Sequence, residues 1–314
     1  MSFNPSVLGR RQFLQTAAPF LCCGGASLIR PFDLPLRFQE SEKALDELRN
    51  ELLDLVNGER VLAGVGRLKL DELASRVANN HAREMAEGNF ISHWGRDGRK
   101  PYHRYAFAGG IHATQENIAA VDNFQSFEWK RIVSDFLASH LRMYAELPPN
   151  DGHRRAILAP QHTHVGFGLA INERRLRLVE IYVAKYVQAF GIEPRAKRKA
   201  TLNLWGKLLN PMHFLQQIDV FYELSPRPPG MGFLTTPRSY SLPDEYRTLR
   251  PRLSEGMIYV DRSFGLVELN SGGRFRVPVK LFKDSPGVYT IVLWIKRRPS
   301  ENLFPATEIC VETE

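Results

Sequence analysis

The sequence predicts an α+β protein, helices first and strands after. Three observations predict it. Apolar residues recur at helical spacing in three segments before residue 147, and the period drops to two from Val165 onward. Short alternating strands parted by Pro and Gly turns then fill the C-terminal third. The 314 residues, 43% hydrophobic and 24% charged, suffice for two ordinary domains and exclude disorder along most of the chain.

The N-terminus reads as an address. Arg10 and Arg11 are followed by Phe13, Leu14 and a short apolar run that is rich in Gly, Ala and Thr. The pattern resembles a bacterial twin-arginine export signal, which a receptor reads through the arginine pair. The run is too short to span a bilayer as a helix, and no other stretch approaches the roughly 18 apolar residues such a helix needs. Residues 1–29 are therefore expected to be the signal segment and 30–41 a linker. The mature protein is expected outside the cytoplasm, periplasmic or extracellular, with no transmembrane helix. Cys22 and Cys23 are adjacent and Cys310 stands alone, so no disulfide scaffold is expected.

Leu45, Leu48, Leu52, Leu55 and Val56 predict a first helix over 41–58, with Ser41 as N-cap. Leu73, Val77, Ala78, Ala82 and Met85 share one face of a second helix that starts near Asp71 and stops at Gly88-Asn89. Trp129, Val133, Phe136, Leu137 and Leu141 mark a third, over 127–146, that Pro148-Pro149 ends. Val165, Phe167, Leu169 and Ile171 alternate with Gly166, Gly168 and Ala170 as a strand, and 178–187 reads as a second one. A basic linker is expected over 191–205. Beyond it, alternation around Ile218–Tyr222, Phe275–Leu281 and Tyr289–Ile295 predicts a small antiparallel β-sandwich over 206–314.

Four stretches of the first block, in order, carry a resemblance: 70–86 with His81 and Met85, then Asn89-Phe-Ile-Ser-His93, then Gln115-Glu116-Asn117-Ile118, then Gly152-His153-Arg154-Arg155. Followed by the glycine-bearing strand Val165-Gly-Phe-Gly, and preceded by Leu55-Val-Asn57-Gly-Glu-Arg60, they look like the CAP superfamily (cysteine-rich secretory, antigen 5, pathogenesis-related-1; the SCP domain). The resemblance covers about residues 48–190 and implies an α-β-α sandwich domain over 42–190. It also implies a polar cleft where His93, Glu116 and His153 meet. The second cleft glutamate of many members falls, by alignment to Phe136, on Ser139, and His140 is the candidate to face the cleft in its place. The segment Met143 to Asp151 is an insertion relative to shorter bacterial versions.

Two imidazoles from separate loops suit Zn²⁺ or another divalent cation, so His93 and His153 are candidate metal ligands. Sixty positions apart, only the fold can unite them. Glu116 is the candidate catalytic residue, as a general base, with a ligand role or the fixing of a histidine tautomer as alternatives. A satisfied loop histidine and a carboxylate holding backbone amides are the plain structural readings of the same residues. His162 and His164 would share a strand face by their spacing, His81 is expected as a packing histidine, and Cys310 as a small buried hydrophobe.

The leading functional expectation is binding of a ligand, lipid or cell-envelope component by an exported protein, with the β-rich block for docking. The alternative is a metal-dependent hydrolase acting on envelope peptide or glycan. Nucleic acid is not an expected partner. The net charge of +8 divides as +2, +1 and +5 over residues 1–41, 42–190 and 191–314. No basic face with interleaved aromatics is visible along the chain.

Overall fold

The computed structural model describes residues 36–125, 127–260, 262 and 265–314, with side chains from residue 42. The expected signal segment, residues 1–29, lies outside the described residues. The chain does mix helices and strands in an α+β architecture, and it opens on α1 (Leu36–Leu62). Leu48, Leu52 and Val56 lie four apart and are buried, as the spacing demands. The helix starts five residues before Ser41, which is therefore no N-cap. A single cap preference is a weak signal when helix-compatible residues continue on both sides of it.

After the short strand β1 (Lys69–Leu70) comes α2 (Glu72–Gly88). Asp71 caps it by accepting from the Ala74 N–H at 2.7 Å, and Asn89 ends it in the left-handed conformation. Next are α3 (Pro101–Phe107), β2 (Ala113–Asp122), α4 (Trp129–Tyr144), α5 (Gly152–Leu158), β3 (His164–Asn172) and β4 (Arg175–Ala184). The four strands form one sheet in the order β1-β3-β4-β2, antiparallel except for β1 against β3.

The alternation along β3 splits the core in two. Val165, Phe167 and Leu169 pack with α1, α4 and α5 on one face. On the other face, Gly166 and Gly168 let α2 approach closely. A methyl group on Gly168 would lie 2.1 Å from the Ala78 carbonyl carbon. That contact, with the small buried face Ala74, Ala78 and Ala82, sets α2 against the sheet. The result is the α-β-α sandwich.

The strand expected over 178–187 is broken. β4 ends at Ala184, and β5 (Val187–Phe190) begins three residues later in a different sheet. There follow β6 (Arg195–Ala196), β7 (Thr201–Leu208), β8 (Phe214–Leu224), the turn-like α6 (Met231–Leu234), β9 (Tyr246–Leu249), β10 (Glu268–Leu269), β11 (Arg274–Lys280), β12 (Gly287–Lys296), β13 (Phe304–Pro305) and β14 (Ile309–Thr313). One sheet runs β10-β11-β7-β5, the other β6-β14-β12-β8-β9 with β13 also on β12. Leu204, Val277 and Val279 of the first meet Ile218, Ile291 and Leu293 of the second in a shared core. Two antiparallel-rich layers about one core make a β-sandwich.

Residues Lys43–Glu314 form one compact unit, and the two layered parts are joined by polar bonds as well as packing. The Thr114 N–H and Oγ1–H both donate to Glu308, at 2.8 and 2.9 Å. Glu223 on β8 receives Lys100 at 2.8 Å and the Tyr102 hydroxyl at 2.9 Å.

Candidate functional site

Glu116 sits on β2 with its side chain wholly buried, and each of its carboxylate oxygens is engaged. His93 Nδ1 lies 2.9 Å from Oε1, and Arg104 on α3 donates to Oε2 at 2.6 Å. Burial by itself would push this carboxyl up. Arg104, then the neighbouring imidazoles, overcome that and hold it at about 2. Arg104 also donates to the His93 carbonyl at 2.7 Å, so one guanidinium fixes both members of the pair.

His153, at the start of α5, is held differently. Its Nδ1 is 2.5 Å from Glu146 Oε1, and its backbone N–H donates to Glu146 Oε2 at 3.0 Å. Its carbonyl accepts from Asn117 at 3.2 Å. Glu146 lies in the segment between α4 and α5. A carboxylate seven residues earlier in the chain thus partners the second cleft histidine.

His93, Glu116, Glu146 and His153 line one cavity of about 870 Å³. Residues 237–242, from the loop between α6 and β9, line it too. Tyr240 reaches furthest: its ring stands 4.8 Å from the His93 ring, and its hydroxyl oxygen accepts from the Glu116 N–H at 2.8 Å. The β-sandwich part of the chain therefore helps to wall the cleft.

Sequence reasoning singled out His93, Glu116 and His153, and all three reach this cavity. It missed Arg104, Glu146 and Tyr240. Glu146 stood seven residues before His153, at the expected end of the third helix and in the segment read as an insertion. No local pattern marks Tyr240, which reaches Glu116 across 124 positions.

His140 does not face the cleft. It is fully buried, with Nδ1 2.7 Å from Glu180 Oε1 and Nε2 2.8 Å from Glu59 Oε2. Burial disfavours its charge, but Glu180 and Glu59 outweigh that and raise it to about 10, so it is an imidazolium between two carboxylates. Tyr182 also donates to Glu180, at 2.7 Å. Facing inward at position 140 serves this network, because a cationic partner is what two buried acids on α1 and β4 require. Ser139, also buried, donates to the Asp135 carbonyl at 2.7 Å.

His162 does not share a strand face with His164, since β3 begins only at His164. It is buried, bonded to the Ala156 carbonyl at 2.9 Å and stacked on Tyr182. His81 is buried on α2, 2.7 Å from the Ser92 carbonyl. Cys310 is a free, buried thiol on β14, and burial pushes its ionisation upward.

The donor set can be compared with the needs of a metal. His93 and His153 each have Nδ1 against a carboxylate, the arrangement that leaves Nε2 as the free lone pair. Among the described residues, however, no group of three or more His, Cys, Asp and Glu is arranged to hold a metal ion. A resident zinc takes three or four protein ligands. The described residues thus fall short of a closed zinc site.

Comparison with known proteins bears on the same segment. Residues 53–186 match the family described as "Cysteine-rich secretory protein family", CAP. The "Uncharacterized membrane protein YlbC" of Bacillus subtilis (strain 168) is 30% identical over 121 residues, 38% of this chain and 30% of that protein. The chain thus spans less than a third of that curated relative's length. Among solved structures, an outer surface protein from Borrelia burgdorferi is 19% identical, over 44% of this chain and 92% of that one, with a TM-score of 0.34. An extracellular SCP-domain protein from Bacillus anthracis str. Ames is 22% identical, over 45% and 41% of the two chains, with a TM-score of 0.33.

Proposed function

We propose, from the match of residues 53–186 to the CAP family, that the protein is an exported binding protein whose His93/Glu116/His153 cleft receives a cell-envelope component. The observation that carries this reading is the engagement of both cleft carboxylates. A general base needs a pKa near the working pH and a lone pair aimed at the water it deprotonates. Glu116 is held at about 2, with one oxygen on Arg104 and the other on His93. That favours binding over a hydrolase with Glu116 as base.

The cavity volume is that of a small-ligand site, and the amides and hydroxyls set in its otherwise largely apolar lining (Ser92, Gln115, Asn150, Gln161) suit a ligand that carries hydroxyl and amide groups on an apolar frame. A fragment of envelope glycan or its peptide fits that description. A divalent ion such as Zn²⁺, where bound, would take His93 and His153 and complete its shell from water or the ligand, supplying a Lewis acid. Export rests on the Arg10-Arg11 pattern. No helix among the described residues is long and apolar enough to cross a membrane.

The test is a titration of the mature chain with a soluble peptidoglycan disaccharide-peptide, followed through the imidazole NMR signals of His93 and His153. Saturable shifts that disappear in His153→Ala, with the fragment recovered intact, are expected. Cleavage of the fragment that stops in Glu116→Gln would replace this reading with the hydrolase, and silent imidazoles would remove it.

A further inference from the structure

The outer face of the sheet β10-β11-β7-β5 carries a pair of aromatic rings amid a group of cations. Trp205 on β7 and Phe190 on β5 are directly opposite in the ladder, with ring centroids 4.7 Å apart and planes 31° from parallel. They remain 50% and 48% exposed, respectively, in a chain whose other large aromatics mostly enter a core. The indole has a prepared seat. Gly191 turns the chain beside it at a φ of +82°, and a methyl group there would lie 3.0 Å from the ring and 2.2 Å from the Asn203 carbonyl oxygen.

The cations come from cross-strand pairing. Arg276 on β11 is the partner of Trp205, and Arg274 is the partner of Lys207. Lys280 points outward on the same strand, as the alternating burial of β11 shows. Like charges directly opposite in a ladder destabilise a sheet. Yet the outward positions of β5, β7 and β11 hold no acidic residue. The one acid in this sheet's outward rows, Glu268 on β10, is the ladder partner of Arg276 and is bonded to Arg252 at 3.1 Å, so Arg274 and Lys207 are the cations without an acid opposite them in the ladder. The sequence hid this face, because its rings and charges stand on three strands between residues 190 and 280. Only the register brings them together.

We infer that this face binds an anionic polysaccharide. A pyranose ring offers an apolar C–H face that packs on the exposed Trp205 and Phe190 rings. Its carboxylate or phosphate substituents meet Arg274 and Lys207, whose mutual repulsion they relieve, with Arg276 beside them. A nucleic-acid strand is the weaker fit. It stacks base after base on a succession of rings, whereas the rings here are confined to a single cross-strand row. The face is distinct from the cleft, and its occupancy does not depend on the cleft's ligand.

The experiment uses full-length mature protein and three probes at low salt: polygalacturonate, the same polymer methyl-esterified, and oligo(dT). Polygalacturonate is expected to bind at least tenfold more tightly than the ester, whose backbone is identical but whose charge is gone. Trp205→Ala and, separately, Arg274→Glu are expected to weaken it at least tenfold while leaving the thermal midpoint within a few degrees, since both side chains are exposed. Phe190→Ala serves as a second ring variant should Trp205→Ala fold poorly. His153→Ala is expected to bind as wild type, which separates this site from the cleft. Equal affinity for the charged and esterified polymers, variants within twofold of wild type, or no binding at all would overturn the inference. Tighter binding of oligo(dT) would overturn it in favour of nucleic acid.

Discussion

Tyr240 and Glu116, 124 positions apart, are joined by a hydrogen bond from the Glu116 N–H to the tyrosine oxygen at 2.8 Å. It ties a loop of the β-sandwich part to the cleft strand of the α-β-α sandwich. Tyr240→Phe leaves that amide without its partner at a buried position, at a cost of about 1–3 kcal/mol. Faster hydrogen exchange at the Glu116 amide is the direct reading, with the His93 signal shifted by the changed ring contact. An unchanged exchange rate would show that the bond contributes nothing.

Arg104→Met removes the strongest partner of a buried carboxylate. Breaking one side of such a pair costs about 3–5 kcal/mol. The pH dependence has a definite sign. The folded pKa of Glu116, about 2, lies below the ordinary 4.5, so its contribution is present above 4.5 and lost as pH falls toward 2. Urea unfolding between pH 2 and 5 should show a shallower acid loss in the variant than in wild type.

His140 works at the other end of the scale. Its folded value of about 10 lies above the ordinary 6.5, so its contribution is full below 6.5 and disappears as pH rises toward 10. His140→Gln should cost about 3–5 kcal/mol at neutral pH, because Glu59 and Glu180 keep no cation between them. The difference between variant and wild type should shrink on going to pH 10. A gap that widened with pH would contradict a charged His140.

Glu308, just before β14, is buried against Thr114 of β2, and burial raises it to about 8 against the bonds from Thr114. A carboxyl with a folded value above the ordinary 4.5 favours the folded state most below 4.5, and that advantage is lost as pH climbs through 8. Glu308→Gln keeps the hydrogen-bonding shape without the proton. It should flatten the decline of the thermal midpoint between pH 5 and 8 and raise the midpoint by a few degrees at about pH 8.

Helical periodicity located α1, α2 and α4 because their buried faces are regular, and alternation located β3, β8, β11 and β12 for the same reason. It did not locate α3 or β2. Polar site residues interrupt both: Arg104 and His103 on α3, and Gln115, Glu116 and Asn117 on β2. The cleft histidines were legible as motifs, since local order along the chain survives in them. Their partners were not. Arg104, Glu146 and Tyr240 reach the cleft through tertiary contacts that leave no spacing rule behind. Likewise, no periodicity separates a strand that continues from one that changes sheets, so 178–187 read as one run.

That change of sheets at Lys185-Tyr186 has a mechanical meaning. The strand bearing the cleft's central sheet passes into the strand bearing Phe190 with only two residues between them. Any displacement of the Phe190 strand is passed along the backbone to β4 with no longer linker between them. Two residues span at most about 7 Å, so the two strand ends cannot be drawn far apart while the sheets stay folded.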